Sequence, residues 1–141
     1  MKDIMLKIVG LHVHDNVEEE QMELVTEGKM YEKGGVIYLT YDESEFTGMV
    51  GYKTRLRVDS NTVKMTRIGK DMGALTEMCF EKGERYTSLY DTPYGPVEME
   101  LLTNDLTSDL SYDGEGKVMI DYSISLKGLT EGRSKLNIEI V

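Results

Sequence analysis

Apolar and polar residues alternate almost from end to end of this chain, and no stretch between them carries a convincing helical repeat. The pattern is plainest late in the sequence, where Val118, Ile120, Tyr122, Ile124 and Leu126 share one side of a strand. Lys117, Asp121, Ser123, Ser125 and Lys127 share the other, and only Met119 interrupts it. A side-chain period of two gives each strand one buried and one wetted face, as in antiparallel sheets. A chain built wholly of such strands must stack two sheets or close one into a barrel. The functional question is then what occupies the inside.

The same alternation runs through the segments 4–13, 22–29, 36–41, 52–59, 62–69, 74–80, 85–90, 97–103 and 106–112, and Leu136, Ile138 and Ile140 end the chain. In the first segment Ile4, Leu6 and Ile8 share a face. Gly10 then predicts a bulge that transfers the apolar side to Leu11 and Val13. Lys33-Gly34-Gly35 is a hairpin signal, because two glycines accept the positive φ of a tight turn. Thr92-Pro93-Tyr94-Gly95 is a turn by its chemistry, and neither proline, Pro93 or Pro96, breaks a strand centre. About ten short strands at a spacing of roughly 8–12 residues predict an all-β chain. The expected architecture is a single antiparallel barrel domain over residues 1–141, of about 8–10 strands and mostly an up-and-down meander.

A chain of 141 residues can bury a core without staples. Its one cysteine, Cys79, cannot form an internal disulfide, which suits a reducing compartment. Charge interrupts the apolar residues at the N-terminal end, so no signal peptide or membrane span is read there, and a cytoplasmic location is expected. The formal net charge of -10 repels phosphate backbones and anionic lipid, so neither nucleic acid nor membrane is an expected partner.

Arg67-Ile68-Gly69, Phe80-Glu81-Lys82-Gly83, the run Tyr90-Asp91-Thr92-Pro93-Tyr94-Gly95 and the strand from Gly116 to Tyr122 together resemble the YwiB-like proteins. Gly35-Val36-Ile37-Tyr38-Leu39-Thr40-Tyr41, followed by Glu43 and Gly48, fits the same pattern upstream. The resemblance runs through nearly the whole chain and implies a small lipocalin-like, calycin-type barrel of unknown function. It implies no catalytic residue, and a ligand cavity only by analogy of fold.

Among candidate sites, His12 and His14 point the same way on one strand, as a histidine pair would for a metal. They are the only histidines, so a third ligand would have to come from Glu18, Glu19, Glu20 or Cys79, and no metal site or cofactor is assigned. The segment 109–120 fails as a calcium loop, because Ile120 stands where a bidentate glutamate is needed. Lys53, Arg55 and Arg57 lie opposite Tyr52, whereas nucleic-acid sheets set cations and aromatics on one face. Cys79 has no histidine near it in sequence, so catalysis is the minority reading.

Arg67 is harder to dismiss. Val63, Met65, Arg67 and Gly69 share a face, which sets a guanidinium on the apolar side of a strand and demands a compensating anion. One compensating group is an internal acid such as Glu43; the other is a ligand carboxylate, for which the planar fork is well shaped. The expected function is non-catalytic binding of a small apolar, amphipathic or carboxylate-bearing ligand by Arg67, Met65, Tyr38, Tyr41 and Tyr90. Ten methionines and nine tyrosines would suit such a wall. The alternative is a protein-interaction or structural module whose barrel is filled by its own side chains.

Overall fold

The computed structural model describes residues 2–14, 20–42, 53–59, 61–69, 75–92, 95–111, 113–127 and 130–141. Alternation gives ten strands: β1 (Lys2–His14), β2 (Glu20–Lys33), β3 (Val36–Asp42), β4 (Lys53–Val58), β5 (Thr62–Ile68), β6 (Leu75–Glu81), β7 (Arg85–Thr92), β8 (Gly95–Ser108), β9 (Lys117–Leu126) and β10 (Thr130–Ile140). Among the described residues there is no helix, and so none long and apolar enough to cross a membrane.

All ten strands form one antiparallel sheet in the order β6-β5-β4-β3-β2-β1-β10-β9-β8-β7. Every pairing but one joins sequence neighbours; the exception zips β1 to β10, from Leu6 opposite Ile140 to His14 opposite Gly132. The sheet curls until its edge strands β6 and β7 approach each other, giving a nearly closed barrel. Among the described residues no ladder joins those two. Their seam is closed at its foot by backbone bonds from the connecting turn to β8, Gly83 N to Thr103 O and Thr103 N to Glu84 O.

The tight turns follow from their glycines. Gly34 and Gly35 both have positive φ, which lets two residues reverse β2 into β3 with the twist of the strands preserved. Gly28 does something different: it faces inward, and a Cβ there would lie 2.7 Å from the Thr40 carbonyl oxygen and 2.9 Å from Leu6 Cδ1. Its missing side chain is what lets β1, β2 and β3 coil so closely.

Two sequence expectations change. Gly10 is not a bulge: the β1 register runs unbroken past it on both sides, so the strand does not switch faces there. The bulge lies instead in β8, where Asn104 is the extra residue between Thr103 (opposite Tyr122) and Asp105 (opposite Asp121). It merges the two short segments read at 97–103 and 106–112 into one strand to Ser108, because the extra residue switches the apolar parity from odd to even.

The inner face of the lower barrel, where β2, β4, β6 and β8 finish, is densely packed, with Leu106 and Leu110 half-buried at its rim. Leu6, Leu39, Leu56, Val63, Phe80, Val118, Ile120 and Ile138 are all almost completely buried there. Outside, the face is wetted and laced by ion pairs such as Lys29–Asp3 at 2.7 Å and Lys64–Glu77 at 3.2 Å.

Candidate functional site

The upper barrel, where β1, β3, β5, β7 and β9 finish, is built differently. Met99, Leu101, Tyr41 and Met65 are buried here too, but several inward-facing apolar residues are only half-buried: Met22 and Leu24 on β2, Val97 on β8, Ile124 and Leu126 on β9, and Leu136 on β10. Gly10 widens this region, since a Cβ there would meet only the Met22 methyl, at 3.9 Å. The inner face therefore keeps partly open apolar surface at one end.

Polar groups lie beneath that surface in one cross-strand row. His12 on β1 stands opposite Ser134 on β10, Ser134 opposite Tyr122 on β9, and Tyr122 opposite Thr103 on β8. His12 Nδ1 and Ser134 Oγ are hydrogen-bonded, and Tyr122 is hydrogen-bonded to Ser134. Phe80 braces the tyrosine from β6, ring centroids 5.0 Å apart. Thr103 ends the row with its Oγ1 buried and making no hydrogen bond, a position that ordinarily costs about 1–3 kcal/mol.

Arg67 belongs to the facing wall. Strand parity carries β5 from Val63 through Met65 to Arg67, and Thr54 and Tyr41 continue its register across β4 and β3. Its charge is felt by Tyr122 across the barrel. Burial pushes the Tyr122 hydroxyl up from its ordinary range, while the Ser134 hydrogen bond and the Arg67 charge pull it back. The phenol is therefore neutral, with a proton to donate, and sits near a guanidinium.

Of the residues singled out from the sequence, Arg67, Met65 and Tyr41 share the interior. Tyr38 does not: it is on the outer face, stacked against Tyr31 with centroids 4.7 Å apart, because it alternates with the buried Ile37 and Leu39. The side chains of Tyr90 and His14 and the residues Glu18, Glu19 and Glu43 lie outside the described residues. Among the described residues no three His, Cys, Asp or Glu side chains gather as a metal would need. Cys79 bonds Tyr86 across the seam, and burial, with Glu77 nearby, raises its thiol above the ordinary range, so little of it is the reactive thiolate.

Sequence reading missed Tyr122, Ser134 and Thr103 as site residues. Ser134 carried a signal, since it precedes Leu136 and Ile138 at the same parity, a hydroxyl on an apolar face. A second concavity, an open cleft of about 660 Å³ near the start of β1, is lined by Lys2, Asp3, Lys29, Tyr41 and Lys53 among others. Its Lys29 and Asp3 are paired with each other.

Comparison with known proteins agrees with this architecture. The chain is similar to the uncharacterized beta-barrel protein YwiB of Bacillus subtilis (strain 168), 28% identical over 120 residues that cover 82% of this chain and 80% of that protein. The crystal structure of the ywiB protein from Bacillus subtilis matches with a TM-score of 0.80, covering 99% of this chain and 92% of that one. Over that longer alignment the identity is 23%, and the likeness speaks for the fold. Residues 6–138 match the model of a domain of unknown function, DUF1934, and the chain belongs to that family.

Proposed function

We propose that this barrel binds a small amphipathic anion without transforming it. The apolar part of the ligand lies against Met22, Leu24, Ile124 and Leu126, and its acidic head meets Arg67. The observation that carries the reading is Arg67, a partly exposed cation, on the same inner face as half-exposed apolar residues. Covering such surface contributes about 25 cal/mol per Å². The guanidinium fork matches a carboxylate, Met22 supplies an adaptable contact, and Tyr41 and Met65 flank the arginine. Tyr38, on the outside, has no part in it.

Fluorescence titration with 8-anilinonaphthalene-1-sulfonate and its neutral counterpart N-phenyl-1-naphthylamine tests the reading. The sulfonate should bind saturably at one site and be displaced by decanoate. Arg67→Met should weaken the sulfonate at least about tenfold, roughly 1.4 kcal/mol, and leave the neutral probe within about twofold. Equal loss of both probes, or no loss of either, would remove Arg67 as the anchor. The packed lower barrel favours the second reading, a structural module with a filled core, and failure of both probes to saturate is its expected result.

A further inference from the structure

The row beside Arg67 has a direction. His12, Ser134 and Tyr122 are successive cross-strand neighbours, joined by hydrogen bonds and ending near the guanidinium. An anion held by Arg67 accepts hydrogen bonds and donates none. The arrangement that serves it has Tyr122 donating its O–H to the anion, Ser134 donating to the Tyr122 oxygen, and His12 Nδ1–H donating to Ser134. Every proton then points toward the ligand. Such chains strengthen cooperatively, and a cationic donor at the far end polarises the whole series. Of the three, only the imidazole changes charge near neutrality.

Resting on the anion-binding reading above, we infer that His12 is a positioning residue that couples proton uptake to ligand affinity through Ser134 and Tyr122. The groups around His12 set the sign. Ser134 faces it from β10, with Arg133 and Lys135 on either side directed to the outer face; Glu20 is its register partner on β2; Tyr122 follows on β9 and Arg67 lies beyond on β5. The guanidinium opposes a second positive charge nearby, and a bound anion removes that opposition. Binding therefore raises the affinity of His12 for its proton, and by reciprocity protonation raises the affinity for the anion. Affinity should rise as pH falls through the range in which the imidazole takes up its proton.

The test is the affinity of 8-anilinonaphthalene-1-sulfonate from pH 8 to pH 5.5 at constant ionic strength. Its sulfonate stays ionised throughout, so any pH response belongs to the protein. The wild-type chain should gain at least about fivefold across that range, while N-phenyl-1-naphthylamine, which has no acidic head, should change little. His12→Gln and Ser134→Ala should each bind the sulfonate with one affinity at all pH values. A flat wild-type profile overturns the inference, as does a pH response that survives in either variant. A parallel rise of both probes overturns it too, because that reports general loosening at low pH. If the sulfonate binds at no pH, the anion-binding reading fails and this inference fails with it. If it binds with a flat profile, only the inference fails.

Discussion

Two inward glycines on neighbouring strands should respond to the same methyl group with opposite signs. Neither Gly10 nor Gly28 has a left-handed φ, so backbone conformation does not forbid a side chain at either. Replacing glycine by alanine at a compatible site stabilises by about 0.4–1 kcal/mol, because the unfolded chain loses freedom. Gly10→Ala meets that condition, its nearest contact being the flexible Met22 methyl at 3.9 Å. Gly28→Ala does not. Its Cβ would stand 2.7 Å from a backbone oxygen of β3 and 2.9 Å from Leu6, a fully buried side chain. Relief requires β3 to move away or Leu6 to leave its rotamer, an overpacking cost of about 1–3 kcal/mol. After the unfolded-state gain the net loss is about 1–2 kcal/mol. At this chain length that is a fall in Tm of about 4–8 °C, against a rise of about 2–4 °C for Gly10→Ala. Circular-dichroism melts of the two variants beside the wild-type chain measure both. A Gly28→Ala barrel as stable as wild type, or a Gly10→Ala barrel equally damaged, would refute the packing assigned to this corner.

Ile120→Asp should cost more than about 3 kcal/mol in urea unfolding, because it places an unpaired charge where only 2% of the side chain is exposed. Ile124→Asp, four residues nearer the half-open end, should cost clearly less, and equal losses would mean the upper barrel is as closed as the lower. On the outer face, Arg133 donates two hydrogen bonds to Asp121, at 2.9 and 2.7 Å, and holds that carboxyl below the usual range. A carboxyl with a lowered folded pKa stabilises above its unfolded value, about 3.9, and loses that contribution as pH falls through the folded value. Asp121→Asn should therefore be less stable than wild type at pH 7, with the gap closing in acid; a gap that persists at pH 2 would assign the effect to packing.

Much of the barrel was legible because local chemistry writes it. Alternation located the strands, and Lys33-Gly34-Gly35 named its hairpin. What failed to read were places where one residue decides parity. Asn104 looks like an ordinary loop residue, yet it switches the inner face of β8; Gly10 looks like a bulge, yet the strand runs straight through it. The site divided along the same line. Arg67 betrayed itself by sharing a face with Val63 and Met65. His12 stood out only as half of a histidine pair, its place on the inner face hidden by the misplaced bulge, and Ser134 and Tyr122 acquire meaning only when β10 lies between β1 and β9. That neighbourhood joins residues far apart in sequence, and no local pattern records it.

The pairing of the first strand with the last has a consequence for how the molecule is made. During synthesis β1 acquires β2 as a partner early, but its other edge stays bare until β10 has emerged. A hydrogen-bonding edge left waiting in this way is a template for mispairing with other chains. The charges along the outer face of β1, Asp3 and Lys7, provide some of the customary protection. Closure also brings together two ends of a long loop, so its entropy must be spent before the final ladder returns any energy, which places this barrel among slow folders, on the order of milliseconds to seconds. The seam between β6 and β7 relieves the opposite problem: the two edges there are already tethered by a short turn, and the barrel draws shut on that side without a search.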